Sequence, residues 1–210
     1  MPGDPGPATG VRLAMSGRIK AGVWMPFTAS QRSDGRSFTW RARVAIGSLT
    51  LLTVLDRFAD GSGSVEGRLF GRRRLFRAHD EDTTRSAAGR AALEGVFAPM
   101  CLLPERGVTW RPEAEDLIVA SWDVPPERPE VRLHIDGNGA LRSASALRWG
   151  KLGRGTVGYV PCGCEVWAER RFGDLVVPSR VTVGWWFGTP RYKPFFEAEI
   201  IELAPVTGAA

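Results

Sequence analysis

The stretch "DTTRSAAGRAALEGVFAPMCLL", residues 82–103, decides how the rest of the chain is read. Ala88, Ala91, Ala92 and Val96 recur at helical spacing, and Leu93, Phe97 and Met100 widen the apolar stripe. Asp82 or Thr83 supplies an N-cap oxygen, Pro99 kinks or ends the helix, and Pro104 closes the segment. A stripe built mostly of small residues lets such a helix approach a sheet closely. This is one amphipathic helix, not a bundle.

On both sides of it the period falls to two. Val11, Leu13, Met15 and Ile19 alternate with Arg12, Ser16, Arg18 and Lys20. Phe38, Trp40, Ala42, Val44 and Ile46 alternate with Ser37, Thr39, Arg41 and Arg43, which puts aromatics on one sheet face and arginines on the other. Leu52, Val54 and Phe58 continue the pattern, with Asp56 on the apolar face. "GSGSVEG", residues 61–67, lies between strand patterns and reads as a turn. Past the helix, Val131, Leu133 and Ile135 lead into "DGNG" at 136–139, a strong hairpin signal, and a second turn is expected at Gly173-Asp174. Near the C-terminus, Val181, Val183 and Trp185 alternate with Thr182, Gly184 and Trp186. Trp185 is therefore expected in the core, with Trp186 and Phe187 at the rim of a cavity.

The chain has 210 residues, 43% of them hydrophobic, enough for a real core in one large domain. Expected boundaries are a tail over 1–10, a domain over 11–204 and a tail over 205–210. Gly 25 and Pro 15 imply many turns and hence many short strands, about nine to eleven at the usual length. A sheet that wide curls. The expected fold class is thus mainly β (α+β): one large curved antiparallel sheet, a half-barrel, wrapping one amphipathic helix. The helix cannot fill the concavity, which leaves room for a hydrophobic ligand.

The net charge of +5 is carried almost wholly by arginine, with Lys20, Lys151 and Lys193 as the three lysines. Such a skew reflects overall composition, and no nucleic-acid partner is expected. No run of about 18 apolar residues exists, so no transmembrane helix is expected. The first residues lack the basic-then-apolar pattern of a secretory signal, and three cysteines do not make a disulfide framework. The expectation is a cytoplasmic protein with reduced thiols. The run "GRLFGRRRLFR", 67–77, reads first as an edge strand blunted by charge and second as a contact for a membrane surface or an acidic ligand.

The blocks "GVWMPFTASQ", "FTWRARV", "RSAAGRAALEGVFAPMCLL", "LRWG", "RRFGDLVVP" and "VGWWFGT…FFEAEI" resemble, in order, those of a bacterial, actinobacterial-type family of unknown function. That resemblance spans about Val11 to Leu203 and implies an architecture like the half-barrel of the LolA/LppX lipoprotein-carrier group. It marks Trp24, Phe27, Gln31, Trp40, Arg41, Asp56, Arg90, Glu94, Arg148, Trp149, Trp185 and Phe187 as the positions that matter. The ligand-binding set expected from these and from the strand register is Trp24, Phe27, Trp40, Arg41, Arg90, Glu94, Trp149, Trp186 and Phe187. In the family, Pro-Phe-Gly stands where this chain has Pro161-Cys162-Gly163, so the resemblance implies no metal site at Cys162 and Cys164.

Two function classes follow. The first is a binder of a hydrophobic or amphipathic small molecule or lipid in the cavity, with no cofactor and no metal. The second is a cofactor-independent isomerase, cyclase or hydrolase working in the same cavity, with Glu94, Asp56 or Arg148 as its polar groups. Arg90 and Glu94 stand i,i+4 on the helix, and a buried ion network is the plainer explanation of both. Charges satisfied by one another favour the binder. Charges free to face a ligand favour the enzyme.

Overall fold

Alternation of apolar and polar residues makes strand after strand, and consecutive strands hydrogen-bond antiparallel except for the two that flank the helix. The computed structural model describes residues 7–153 and 155–207. Before the helix come β1 (Gly10–Ala21), β2 (Val23–Ser33), β3 (Phe38–Ile46), β4 (Leu49–Ala59), β5 (Ser62–Leu69) and β6 (Arg73–Ala78). Helix α1 (Glu81–Leu93) and three short 3-10 turns, Glu94–Phe97, Pro99–Cys101 and Pro104–Arg106, follow. Then come β7 (Thr109–Ala114), β8 (Leu117–Ser121), β9 (Glu130–Ile135), β10 (Leu141–Gly153), β11 (Thr156–Phe172), β12 (Leu175–Trp185) and β13 (Lys193–Val206). They form one open sheet in the order β6-β5-β4-β3-β2-β1-β13-β12-β11-β10-β9-β8-β7. Its first and last strands in sequence meet at the centre, where Leu13 pairs with Leu203.

Helix α1 packs on β4, β5 and β10 at once, although seven strands separate β5 from β10 in the sheet. Only a strongly curled sheet brings both to one helix, so the fold is a curved half-barrel of mainly β structure. Small residues permit the approach: Ala87, Ala88, Gly89, Ala91 and Ala92 are all buried. A Cβ at Gly63 would stand 2.8 Å from Thr84 Cα and 2.9 Å from Ala87 Cβ. Gly63→Ala must push the helix outward and is expected to destabilise the protein by about 1–3 kcal/mol. Urea unfolding checks this, and an unchanged midpoint with unchanged slope would contradict the close packing.

Some expectations need correction. Thirteen strands replace the expected nine to eleven. Of residues 61–67, Gly61 alone belongs to the turn, which it makes with Asp60 in left-handed backbone at φ 69° and 54°. From Ser62 onward the segment is strand, and its glycines at 63 and 67 answer close contact with α1 and with the Phe76 ring. The N-cap is Asp80, whose Oδ1 accepts from Thr83 N at 2.8 Å, rather than Asp82 or Thr83. The regular helix ends at Leu93, ahead of Gly95 and Pro99, both poor helix formers. The DGNG hairpin, the Gly173-Asp174 turn and the turn after Trp185 fall between strands as read.

Both sheet edges are blunted by charge. β6 carries Arg73, Arg74 and Arg77, whereas β7 carries Arg111, Pro112 and Glu113, and nearly every residue of both is exposed. Thr9, Gly10, Pro205 and Val206, assigned to tails from the sequence, join the β1–β13 ladder. Residues 1–6 and 208–210 of those tails lie outside the described residues.

Candidate ligand cavity and its mouth

The inward residues of the sheet do not all reach the helix, and a cavity of about 380 Å³ remains between them. Its walls are alternate residues of each strand: Met15 and Ile19 on β1, Val44 on β3, Leu52 and Val54 on β4, Val183 on β12, and Phe196 and Ala198 on β13. Leu93, Val96 and Phe97 face them from the helical side. Binding pockets for small ligands span roughly 300–1,000 Å³. This one lies near the lower end of that range.

One end of the half-barrel is plugged. Trp122 Nε1 donates to Gly35 O at 2.9 Å, Cys101 Sγ to Thr9 O at 3.2 Å and Trp110 Nε1 to Leu102 O at 2.9 Å, tying the 3-10 segment across that end. The cavity instead reaches exposed Lys20 and Ala21 at the opposite end.

Four polar side chains line the cavity as a closed network. Arg90 Nε lies 2.7 Å from Glu94 Oε1, and Arg90 Nη1 lies 2.6 Å from Asp56 Oδ2. Gln31 Nε2 donates to Glu94 Oε2 at 2.8 Å. The guanidinium also stands over Phe38 at 4.4 Å and Trp40 at 5.2 Å from the ring centroids. Burial alone would lower the Arg90 pKa, but Glu94 and Asp56 outweigh it and hold it above its ordinary value. Burial pushes the Glu94 carboxyl up from 4.5 despite Arg90 beside it, and Asp56 adds to the rise.

The Glu94 shift has a sign that can be tested. The folded chain binds the Glu94 proton more tightly than the unfolded chain. The stability it contributes is therefore present below pH 4.5 and is lost as pH rises through the raised native value. Urea unfolding over a pH series should show wild type losing stability relative to Glu94→Gln above pH 4.5. A difference that grows in favour of wild type would contradict the shift.

Cys162 and Cys164 line the same cavity, both buried and both free thiols. Burial raises the Cys162 pKa and pushes Cys164 up to about 12, so neither is a ready thiolate. Among the described residues, no three of His, Cys, Asp and Glu converge as metal ligands.

Beyond the cavity a groove of about 550 Å³ runs between the first turns of α1 and the ends of β10 and β12. Trp185 is half-buried and belongs to both spaces, stacked on Phe195 at 6.0 Å with Arg148 over its ring at 4.9 Å. Arg148 Nε donates to Ser86 O at 2.8 Å, joining β10 to the helix. Trp149 lies in the groove, with Nε1 on Asp82 at 2.7 Å and Arg85 over its face at 3.7 Å. Trp186 lies there too, at φ 60° and under Arg191 at 3.6 Å. Lys151 and Lys193 complete the rim.

The structure therefore gathers Trp40, Asp56, Arg90, Glu94 and Arg148 around the cavity, and Trp149 and Trp186 around the groove. Phe27 stands behind the wall, 3% exposed and 4.9 Å from Phe196. Trp24, Arg41 and Phe187 are corrected. Trp24 alternates with inward Met25 and sits beside Arg18 at 5.5 Å on the convex side. Arg41 alternates with buried Trp40 and Ala42, and lies in a broad, open depression of about 660 Å³ on that side. Phe187 folds back with Tyr192 over Gly163 and Gly184, whose Cβ positions those rings occupy.

Sequence reasoning did not single out Lys20, Phe76 or Phe196 as lining residues. For Lys20 a signal existed: lysine is rare here, and all three lysines border the cavity or the groove.

A family of unknown function, DUF6920, matches residues 2–204. No curated protein matches the chain. Among solved structures, a domain described as that of an outer membrane lipoprotein-sorting protein, from Vibrio parahaemolyticus, superposes with a TM-score of 0.50 at 10% identity. That match covers 96% of this chain and 87% of the other, and at such identity it bears on the fold alone. A DUF1329 family protein from Desulfovibrio piger ATCC 29098 gives a TM-score of 0.44 at 9% identity, over 98% of this chain and 89% of the other. The sheet-and-helix half-barrel is thus shared with that Vibrio domain, and by sequence the chain belongs to the DUF6920 family of unknown function.

Proposed function

We propose that the protein binds one hydrophobic or amphipathic small molecule in the cavity between α1 and the concave sheet. The observation that carries this reading is the cavity itself: about 380 Å³, walled by aliphatic and aromatic side chains, closed at one end and open at the other. The likeness to a lipoprotein-sorting domain supports it as a likeness of architecture only. The polar groups support binding over catalysis. Arg90, Asp56, Glu94 and Gln31 are engaged with one another, and Arg148 with a backbone carbonyl. A general acid or base has to reach the substrate within about 2.6–3.2 Å, and these are already held by neighbours.

A buried donor is left for the ligand. Trp40 is 4% exposed and lines the cavity, yet its Nε1 has no hydrogen-bond partner among the described residues. An acceptor oxygen on the ligand, such as an ester or carboxyl group, would satisfy it. The test is a titration with a dansyl-labelled medium-chain fatty acid, read by probe fluorescence. One-to-one saturable binding is expected. Trp40→Phe keeps an aromatic ring and removes the donor, so it should weaken binding about 2–10-fold, with a modest loss of stability from the smaller ring. Absence of saturable binding across acyl lengths would overturn the proposal.

A further inference from the structure

Antiparallel alternation puts the β1–β2, β3–β4, β5–β6, β10–β11 and β12–β13 connections at one end of the sheet, the end where the cavity opens. Among the described residues, 17–25, 43–52, 67–77, 147–153, 155–160 and 184–196 lie toward that end. They hold twelve of the 28 lysines and arginines, every lysine included, and none of the 23 acidic residues, although Asp82 and Glu127 reach this end through Trp149 and Tyr159. Turns at the other end carry Asp34, Asp60, Asp136 and Asp174. Positive charge is therefore concentrated toward the open end of the half-barrel.

Large apolar side chains project at the same end. Val23 is 65% exposed, Ile46 58%, Leu49 56%, Phe70 55% and Leu75 61%, spread over three hairpins. Phe70 is the most telling. With Gly71 it forms the β5–β6 turn in left-handed backbone, at φ 51° and 70°. Hairpins of this kind favour asparagine, aspartate or glycine at the first central position, and a bulky ring there is strained. Here the strain holds a phenylalanine out in solvent, between Arg68 and Arg72. Backbone strain kept at an exposed tip points to a use for that tip.

We propose that this end docks on an anionic phospholipid bilayer. The apolar tips enter the headgroup layer and the surrounding arginines and lysines meet lipid phosphates. On the cavity reading above, docking sets the open mouth against the layer from which an amphipathic ligand would be taken or to which it would be given. Aliphatic tips within a positive field fit this partner. A nucleic acid offers no apolar layer for valine, isoleucine and leucine to enter. A second copy of the chain would bring two like-charged ends together.

The test is cosedimentation with vesicles of phosphatidylcholine alone and of phosphatidylcholine containing phosphatidylglycerol as a minor component. Wild type should bind the anionic vesicles at least about tenfold more tightly, and lose that preference between about 0.05 M and about 0.5 M salt. Phe70→Asn suits the left-handed turn, so it should fold at least as stably while weakening vesicle binding about tenfold. Arg72→Glu with Arg74→Glu should abolish binding, whereas Ile201→Glu, also exposed but on the convex face, should leave it unchanged. Val183→Trp, which fills the cavity, should dock normally, so failure of the cavity reading and failure of docking are separable. Equal binding to neutral vesicles, no binding to anionic ones, or indifference to Phe70→Asn would overturn the proposal. So would a concentration-dependent dimer of wild type that Phe70→Asn dissolves, which would reassign the tips to self-association.

Discussion

Replacing Arg90 by methionine is expected to destabilise the protein by about 3–5 kcal/mol. Arg90 holds two carboxylates at once, Glu94 at 2.7 Å and Asp56 at 2.6 Å, and all three side chains are at least three-quarters buried. Without the guanidinium, two negative groups face each other across an apolar cavity, and one must take up a proton or drag in water. The contacts with Phe38 and Trp40 are lost as well. If the network matters through charge balance, adding Glu94→Gln and Asp56→Asn to Arg90→Met should restore much of the loss, because neutral amides leave no uncompensated charge. Denaturant unfolding of the single and combined variants measures this as a coupling. A loss under about 1 kcal/mol for Arg90→Met alone would mean that the network is solvated, and the enclosed cavity would fall with it.

The second large effect is expected on binding. Val183 is half-buried on β12, opposite Cys164 and Phe196, and its side chain lines the cavity. Tryptophan is well tolerated in strands, and at this position its ring would occupy ligand space. Val183→Trp is expected to weaken binding of an acyl ligand at least about tenfold, equivalent to about 1.4 kcal/mol, while leaving the unfolding midpoint close to wild type. Leu52→Trp on the opposite wall is an independent version should one variant fold poorly. Unchanged affinity in both, with folding intact, would move the ligand elsewhere.

Much of the architecture was legible in the chain because a period of two is a local property. "FTWRARVAI" reads the same way in isolation as it does in β3, and the alanine-rich stripe announces a helix that approaches a sheet. Asp56 on an apolar face was a sound signal that a buried cation would be found, and Arg90 is that cation. What failed was what depends on partners. Gly63 and Gly67 look like turn residues until Thr84, Ala87 and Phe76 are seen pressing on them. Arg41 and Trp24 were drawn into the site by resemblance although their own alternation put them outside. Phe187 follows Trp186 on a turn that folds back over β11, a direction that no period encodes. The three lysines were visible as a composition oddity, but their meeting at one end needed the topology.

The most direct measurement is organic extraction of the purified protein after incubation with a mixture of fatty acids and lysophospholipids, followed by mass spectrometry of what is released, for wild type beside Val183→Trp. The account predicts about one amphipathic molecule per wild-type chain and little from the filled variant. Equal recovery from both, or none from wild type at any ligand concentration tried, would contradict a binding cavity between α1 and the sheet.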